Sequence, residues 1–125
     1  MEKVKGQPEG VELACMEVWG GNRAADNGVS MSGIDAWVYC QPQPGNEQGG
    51  DVYFVSSCAT GRITRCLLAD VAGHGESVGK TALELRSIMR KFVNHVDQTK
   101  LITNVNRAFE HQTDAGVFAT VLALT

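Results

Sequence analysis

The sequence predicts an α+β domain in which a mainly antiparallel sheet carries two helices on one face. Strand-like runs come first and are joined by short connections, two helical patterns follow, and an apolar run too short for a helix comes last. The chain has 125 residues, of which 43% are hydrophobic. This is enough for one well-packed core but not for two.

Four strands are predicted in the first part of the chain. β-branched and apolar residues favour a strand over Val11–Trp19, and strict alternation favours another over Ile34–Cys40. The small and polar residues of Asn22–Gly33 show no period and predict a loop. Two β-rich runs, Asp51–Cys58 and Arg62–Ala69, are separated by a short connection that contains Gly61, which is typical of an antiparallel hairpin.

Two helices and a last strand are predicted in the rest. Apolar residues recur every three or four positions over Ser77–Asn94 and again over Thr99–His111, where Asp97 is suited to cap the second helix. Gly116 ends this helical pattern. The short apolar run Val117–Leu124 is rich in strand-forming residues and predicts a strand.

Charge and cysteine content exclude several classes of protein. The 11 basic and 14 acidic residues give a net charge of −3, so we expect neither nucleic acid nor an anionic membrane as a partner. No apolar stretch approaches a membrane span or an export signal, which predicts a cytoplasmic protein. The cysteines have no C-x-x-C spacing and are expected to be reduced thiols; they are Cys15, Cys40, Cys58 and Cys66.

Two aspartates beside glycine-rich segments are the main candidates for chemistry. Asp51 follows Gly49-Gly50 at the start of one hairpin strand, and Asp70 closes the other strand. Because both lie about equally far from the turn, we expect them to converge. Paired carboxylates suit a hard cation such as Mg²⁺ or Mn²⁺. The alternative is that Asp51 only starts a strand and Asp70 only caps a turn, and spacing does not decide between the two.

The same segments carry a family resemblance. Over residues 34–125 the sequence resembles the first half of the SpoIIE-like branch of the PPM-type (protein phosphatase 2C-like) serine/threonine phosphatases. The motifs are Gly49-Gly50-Asp51, the A-D-V-A-G-H-G run from Ala69 to Gly75, Leu85-Arg86, Asn106 with Phe109, and Phe118-Ala119-Thr120.

The resemblance implies an α-β-β-α sandwich and a centre of two Mg²⁺ or Mn²⁺ ions. Asp51 and Asp70 would be the catalytic pair, with Asp51 bound to one ion and Asp70 bridging both. The main-chain carbonyl of Val71 would complete the first site. The surrounding loop would be supported by Gly50, Gly73, His74 and Gly75. We expect His74 to pack in the loop rather than to act as a general acid.

The resemblance also predicts how the chain is divided and what it does. Residues 1–33 are expected to form a strand and loop extension and residues 34–125 a partial phosphatase domain, with the family's remaining metal-binding aspartates expected beyond Thr125. The activity implied is hydrolysis of phosphoserine or phosphothreonine on a bacterial signalling regulator such as an anti-sigma-factor antagonist, and it is expected to be absent or impaired in a chain of this extent.

Two other functions and one further partner stay open. The chain could be a catalytically dead protein-binding module derived from the phosphatase fold, or a plain structural domain if the aspartates do not converge. The Val117–Leu124 strand is expected to expose a sheet edge through which two copies could associate. Arg23, which could be offered as a phosphate anchor, is expected to be a solvated loop residue.

Overall fold

The computed structural model describes residues 10–13, 17–58, 61–73 and 76–125, so Cys15 and Thr60 lie outside the described residues. Within them the chain forms seven strands and two helices. In chain order the elements are β1 (Val11–Glu12), β2 (Glu17–Arg23), β3 (Ala25–Met31), β4 (Ile34–Cys40), β5 (Gln48–Cys58), β6 (Ile63–Val71), α1 (Glu76–Phe92), α2 (Gln98–Gln112) and β7 (Ala119–Leu124).

The strands form two sheets. One sheet has the order β1-β3-β4 and the other the order β2-β5-β6-β7. Every pairing is antiparallel except the short β1–β3 pair, which is parallel. The α+β class and the predicted antiparallel β5–β6 hairpin are therefore confirmed, and the strands divide between two sheets rather than one.

The loop predicted for Asn22–Gly33 is wrong, because Ala25–Met31 forms strand β3. This strand pairs along its whole length with β4. A Cβ atom at Gly28 would lie 3.4 Å from the Trp37 ring, and Trp37 Nε1 donates a hydrogen bond of 2.8 Å to Asp26 Oδ1. Cross-strand contacts of this kind stabilise a strand whose residues have low intrinsic β-propensity.

The first predicted strand also ends too early at Trp19, because β2 continues through Gly20 to Arg23. Gly20 is needed inside this strand, because a Cβ atom there would overlap the carbonyl oxygen of Tyr53 on β5. The glycine pair therefore permits a close approach of two strands instead of a turn. The residues 1–33 and 34–125 thus contribute strands to the same two sheets.

The helices cover one face of the four-stranded sheet, as predicted. Strand residues such as Phe54 and Leu67 pack there against Leu85 and Met89 of α1 and Leu101 of α2. Asp97 is the N-cap of α2 and accepts a hydrogen bond from Lys100 N, which confirms the predicted cap.

The opposite face of the four-stranded sheet packs against the three-stranded sheet. Val55 on β5 meets Val29 and Met31 on β3, and Ala36 and Val38 of β4 complete this smaller core. The described residues therefore form three layers in the order helices, sheet, sheet. The space between the two sheets is where the candidate site opens.

A fully buried arginine connects β6 to the end of α1. Arg65 is 0% exposed, and its Nη1 donates to the carbonyl oxygens of Val93 and His95, each at 2.7 Å. Its Nη2 donates to Val96 O at 3.0 Å, and its Nε donates to Thr125 Oγ1 at 3.1 Å. The three carbonyls lie in the connection that follows α1, and the guanidinium group supplies the donors that such buried carbonyls need.

Candidate functional site

Asp51 and Asp70 are direct partners across the β5–β6 hairpin. Strand alternation places both on the face that looks toward the three-stranded sheet, because Val52 and Ala69 beside them pack into the helix-side core. Both side chains are exposed to solvent. The structure thus brings together the two carboxylates that the hairpin symmetry predicts to converge.

The charge of Asp70 opposes the ionisation of Asp51. The pKa of Asp51 is raised, first because the group is partly buried, then because the charge of Asp70 lies close, and finally because the two carboxyl groups share a hydrogen bond. A cation between the two side chains would offset the repulsion and favour the ionised form of Asp51. The electrostatics therefore favour a positively charged ligand at this point.

A bulge in β5 sets the position of Asp51. Gly21 pairs with Tyr53, but Arg23 pairs with Gln48, so two steps along β2 correspond to five along β5. The extra residues of β5 include the Gly49-Gly50-Asp51 motif. A bulge re-aims the side chains that it carries, and it is a common device beside functional sites.

Two of the predicted support glycines contact the same side chain of α1. A Cβ atom at Gly50 would lie 2.7 Å from Val78 Cγ1, and one at Gly73 would lie 2.9 Å from Val78 Cγ2. The Gly50 position is also 3.1 Å from the carbonyl oxygen of Val71. Gly73 has φ of +127°, a region that other residues rarely adopt. The absent side chains thus let the bulge, Val71 and α1 approach one another.

A polar cleft of about 210 Å³ opens beside the aspartate pair. It is lined by every predicted site residue that the structure describes, whereas His74 and Gly75 lie outside the described residues. Amide side chains from the β4–β5 connection, which the sequence reasoning missed, line its other wall. The lining residues are Gly50, Asp51, Asp70, Val71, Gly73 and Val78, together with Gln41, Pro42, Gln43 and Asn46.

A wider cleft of about 630 Å³ lies on the other side of the same aspartates, between β4 and the β6–β7 pair. Tyr39, Leu68 and Leu122 give it an apolar lining. Cys40 also lines it, and the pKa of this thiol is raised by burial and then by the charge of Asp51, so the thiol is protonated at neutral pH. The aspartate pair is therefore the junction of a polar and an apolar cleft.

The described residues suit one hard cation better than two. Two carboxylates and the Val71 carbonyl are oxygen donors of the kind that Mg²⁺ and Mn²⁺ prefer, and water can supply further ligands. In the ranges that the structure describes, no group of three or more His, Cys, Asp or Glu side chains is placed to hold a metal. A second ion would therefore find few protein ligands among these residues.

Arg23 and the cysteines are the remaining candidates from the sequence. The Arg23 side chain is exposed, as predicted, but it ends a strand rather than lying in a loop, and its Nη1 is 3.6 Å from Glu47 Oε2. Such a surface ion pair contributes little to stability. Cys40, Cys58 and Cys66 are free thiols, as predicted for these three.

The fold and the site define a class of protein: a layered α-β-β domain with a paired-carboxylate site at the edge between its sheets. Comparison with protein families gives the class a name. The family model described as Stage II sporulation protein E (SpoIIE) matches residues 60–125, just over half of the 125-residue chain. The chain belongs to the SpoIIE family and contains a domain related to PPM-type phosphatases, a family that generally uses Mg²⁺ or Mn²⁺.

The other comparisons add no relative. No curated protein and no solved structure shows a significant match to the chain. In the part of the chain that the structure describes, none of the helices is both long enough and apolar enough to cross a bilayer.

Proposed function

We propose that this chain supplies the Asp51–Asp70 half of a metal-dependent phosphatase centre that hydrolyses phosphoserine or phosphothreonine on a cytoplasmic bacterial signalling regulator. The observation that carries the proposal is the direct cross-strand pairing of Asp51 with Asp70 in a chain of the SpoIIE family. Asp51 and Asp70 would hold Mg²⁺ or Mn²⁺ together with the carbonyl of Val71. In this proposal the family's two-ion centre is only partly supplied by the residues described.

The chain's own residues have separate tasks in this proposal. Bound Mg²⁺ or Mn²⁺ would supply an acidified water and neutralise phosphoryl oxygens. Asp51 and Asp70 fix the ligand spacing because they are locked in register on neighbouring strands. The amides of Gln41 and Gln43 line the polar cleft and can donate hydrogen bonds to a phosphoryl group there. The apolar cleft beside them offers a surface for the residues that flank the phosphoamino acid.

A catalytically dead binding module is the second candidate. It is favoured by one observation: among the described residues, the aspartate pair has no third acidic or imidazole group beside it. Such a module would bind a phosphorylated regulator, for example an anti-sigma-factor antagonist, in the same clefts without hydrolysing it.

Removal of metal tests the enzyme proposal. The purified chain, assayed with a small aryl phosphate, is expected to release phosphate with Mn²⁺ and to lose that activity when EDTA is added, because the carboxylates alone provide no nucleophile activation. Calorimetric titration with Mn²⁺ should show binding in the same preparation. Binding without turnover would favour the binding module instead, and the absence of both would overturn the proposal of a metal centre.

A second copy of this chain is a further partner that we propose. Strand β7 pairs only with β6 among the described strands, so its outer edge is open. Leu68, Leu122 and Leu124 share one face beside this edge and are 55%, 56% and 58% exposed. Two copies aligned antiparallel along β7 would extend the sheet and place Leu122 and Leu124 of one copy beside the β7 side chains of the other.

Sedimentation tests this association. The wild-type chain is expected to show a mass that rises with concentration toward a dimer. Leu122→Lys should shift it to the monomer, because it replaces an apolar contact beside the new strand pair by a charge that both copies carry. Val96→Lys is a matched control, since Val96 is 65% exposed in the connection between the helices. A wild-type chain that stays monomeric at the highest concentration would contradict the proposal.

A further inference from the structure

A fully buried amide lies at the bulge that carries Asp51. Asn22 is 0% exposed and belongs to β2 between Gly21 and Arg23, where the register with β5 shifts. Its Nδ2 donates two hydrogen bonds of 3.0 Å, one to Gly49 O and one to Gly79 O. One side chain therefore connects three elements: β2, the bulge in β5, and α1.

One of the two polar atoms of this side chain is satisfied and the other is not. Asn22 Oδ1 is buried and has no hydrogen-bond partner among the described residues. An unpartnered buried acceptor is destabilising, because the group loses its hydrogen bonds to water on folding. The unpartnered oxygen therefore offsets part of the stability that the two donated hydrogen bonds contribute.

Both acceptors of the Asn22 amide are next to groups that shape the site. Gly49 is two residues before Asp51 in the bulge. Gly79 follows Val78, the side chain that packs into the spaces left by Gly50 and Gly73. A change in either hydrogen bond would move the bulge relative to α1, and with it the Asp51 carboxylate relative to Asp70.

We infer that Asn22 is a positioning residue for the cation site: its amide holds the Gly49–Asp51 bulge and the first half of α1 at the separation that lets Asp51 and Asp70 bind one cation together. The inference rests on the proposed function for its cation. Asn22 does not line the polar cleft, so it would act on the cation through the bulge and not by direct contact. Outer residues that orient ligands in this way commonly change metal affinity by about 10- to 100-fold when they are replaced.

The test compares Asn22→Ala with Val105→Ala in the full chain. Val105 is a buried core residue of α2, so its replacement weakens the fold away from the bulge. Hydrogen exchange of the metal-free proteins shows which backbone segments loosen. Titration with Mn²⁺, at a temperature where both variants are folded, gives the dissociation constants.

Asn22→Ala is expected to speed exchange mainly at residues 48–52 and 78–82 and to raise the Mn²⁺ dissociation constant about 10- to 100-fold. Val105→Ala should change exchange around the helices and leave the Mn²⁺ affinity of the folded protein unchanged. A purely structural role for Asn22 would lower stability without changing that affinity, and this result would overturn the inference. Uniformly faster exchange throughout Asn22→Ala would overturn it as well.

Two further outcomes distinguish a failure of the proposed function from a failure of the inference about Asn22. If the wild-type chain binds no Mn²⁺, the proposed function fails, and the exchange pattern alone decides whether Asn22 holds the bulge. If Asn22→Ala does not fold, Asn22→Ser keeps one hydroxyl donor and is measured in the same way. An exchange pattern confined to the two segments would support the inference, and one indistinguishable from wild type would overturn it.

Discussion

Replacing Asp70 by Asn is expected to weaken Mn²⁺ binding by at least about 100-fold. Replacing a residue that only orients a metal ligand lowers metal affinity by about 10- to 100-fold, and the loss of a direct ligand should have a larger effect. The amide keeps the shape of the side chain but removes one of the two charges that face each other across the hairpin. Any Mn²⁺-dependent phosphatase activity should fall to the level seen with EDTA. Calorimetry and the aryl phosphate assay measure the two effects.

The same substitution should not destabilise the metal-free protein at pH 7. Asp51 has a pKa above its ordinary value of 3.8, so the folded state binds its proton more tightly than the unfolded state does. Stability therefore falls as the pH rises from that ordinary value through the raised pKa, and the penalty persists at neutral pH. Asp70→Asn removes the part of the penalty due to charge repulsion, although burial, the larger cause, remains. A small gain in melting temperature at pH 7, shrinking toward acid pH, is expected in EDTA.

Asp35→Asn is the matched control for Asp70→Asn. Asp35 is an exposed aspartate on strand β4, so Asp35→Asn changes the net charge by the same amount. Its cross-strand partner is Ser30, so no second carboxylate lies directly opposite. It should leave Mn²⁺ binding unchanged. Equal Mn²⁺ affinity in wild type and Asp70→Asn would remove Asp70 from the proposed centre.

Arg65→Met is expected to lower the free energy of unfolding by about 3 to 5 kcal/mol, because buried carbonyl groups left without donors cost about 1 to 3 kcal/mol each. The carbonyls in question belong to Val93, His95 and Val96, which all accept hydrogen bonds from the guanidinium group. Methionine fills much of the space but donates nothing. Since domains are stable by only about 5 to 15 kcal/mol, the variant should be close to unfolding at room temperature.

Urea denaturation followed by circular dichroism measures this loss. Arg62→Met is the matched control, because Arg62 is exposed and lies three residues earlier in the chain. Its effect should stay within about 0.5 kcal/mol, as is usual for surface substitutions. A similar denaturation midpoint for the Arg65 and Arg62 variants would show that the buried hydrogen bonds contribute little net stability.

The hairpin and its aspartates were predictable because they depend on local chemistry. A turn with arms of equal length determines the register of an antiparallel pair, so Asp51 and Asp70 could be paired from the sequence alone. The amphipathic helices and the Asp97 cap follow from short-range patterns in the same way.

What the sequence did not reveal depends on contacts between distant segments. β3 contains Asp26, Asn27 and Gly28, and it is a strand because β4 and its Trp37 ring support it. Asn22 sits in a stretch that resembles a polar loop, and only the folded structure brings Gly49 and Gly79 to its amide. The partners of buried polar groups of this kind are set by tertiary packing, which local sequence patterns do not predict.

The burial of Arg65, by contrast, could have been predicted from the sequence. It alternates in phase with Leu67, Ala69 and Val71, so a charged residue stood on the apolar face of a predicted strand. Burial of a charge requires dedicated partners, and the end of α1 provides them.

Alternation along β6 also makes the protein sensitive to changes in length. Arg65 and Asp70 are an odd number of residues apart, so one points into the helix layer while the other points between the sheets. Deleting or inserting a single residue between them would turn one of the two side chains to the wrong face of the sheet. Either the Asp70 carboxylate would enter the helix-side core, or the carbonyls that follow α1 would lose the Arg65 guanidinium group. We therefore expect homologues with this site to differ in length in the turns and in the loops that line the clefts. The number of residues between Arg65 and Asp70 should stay the same.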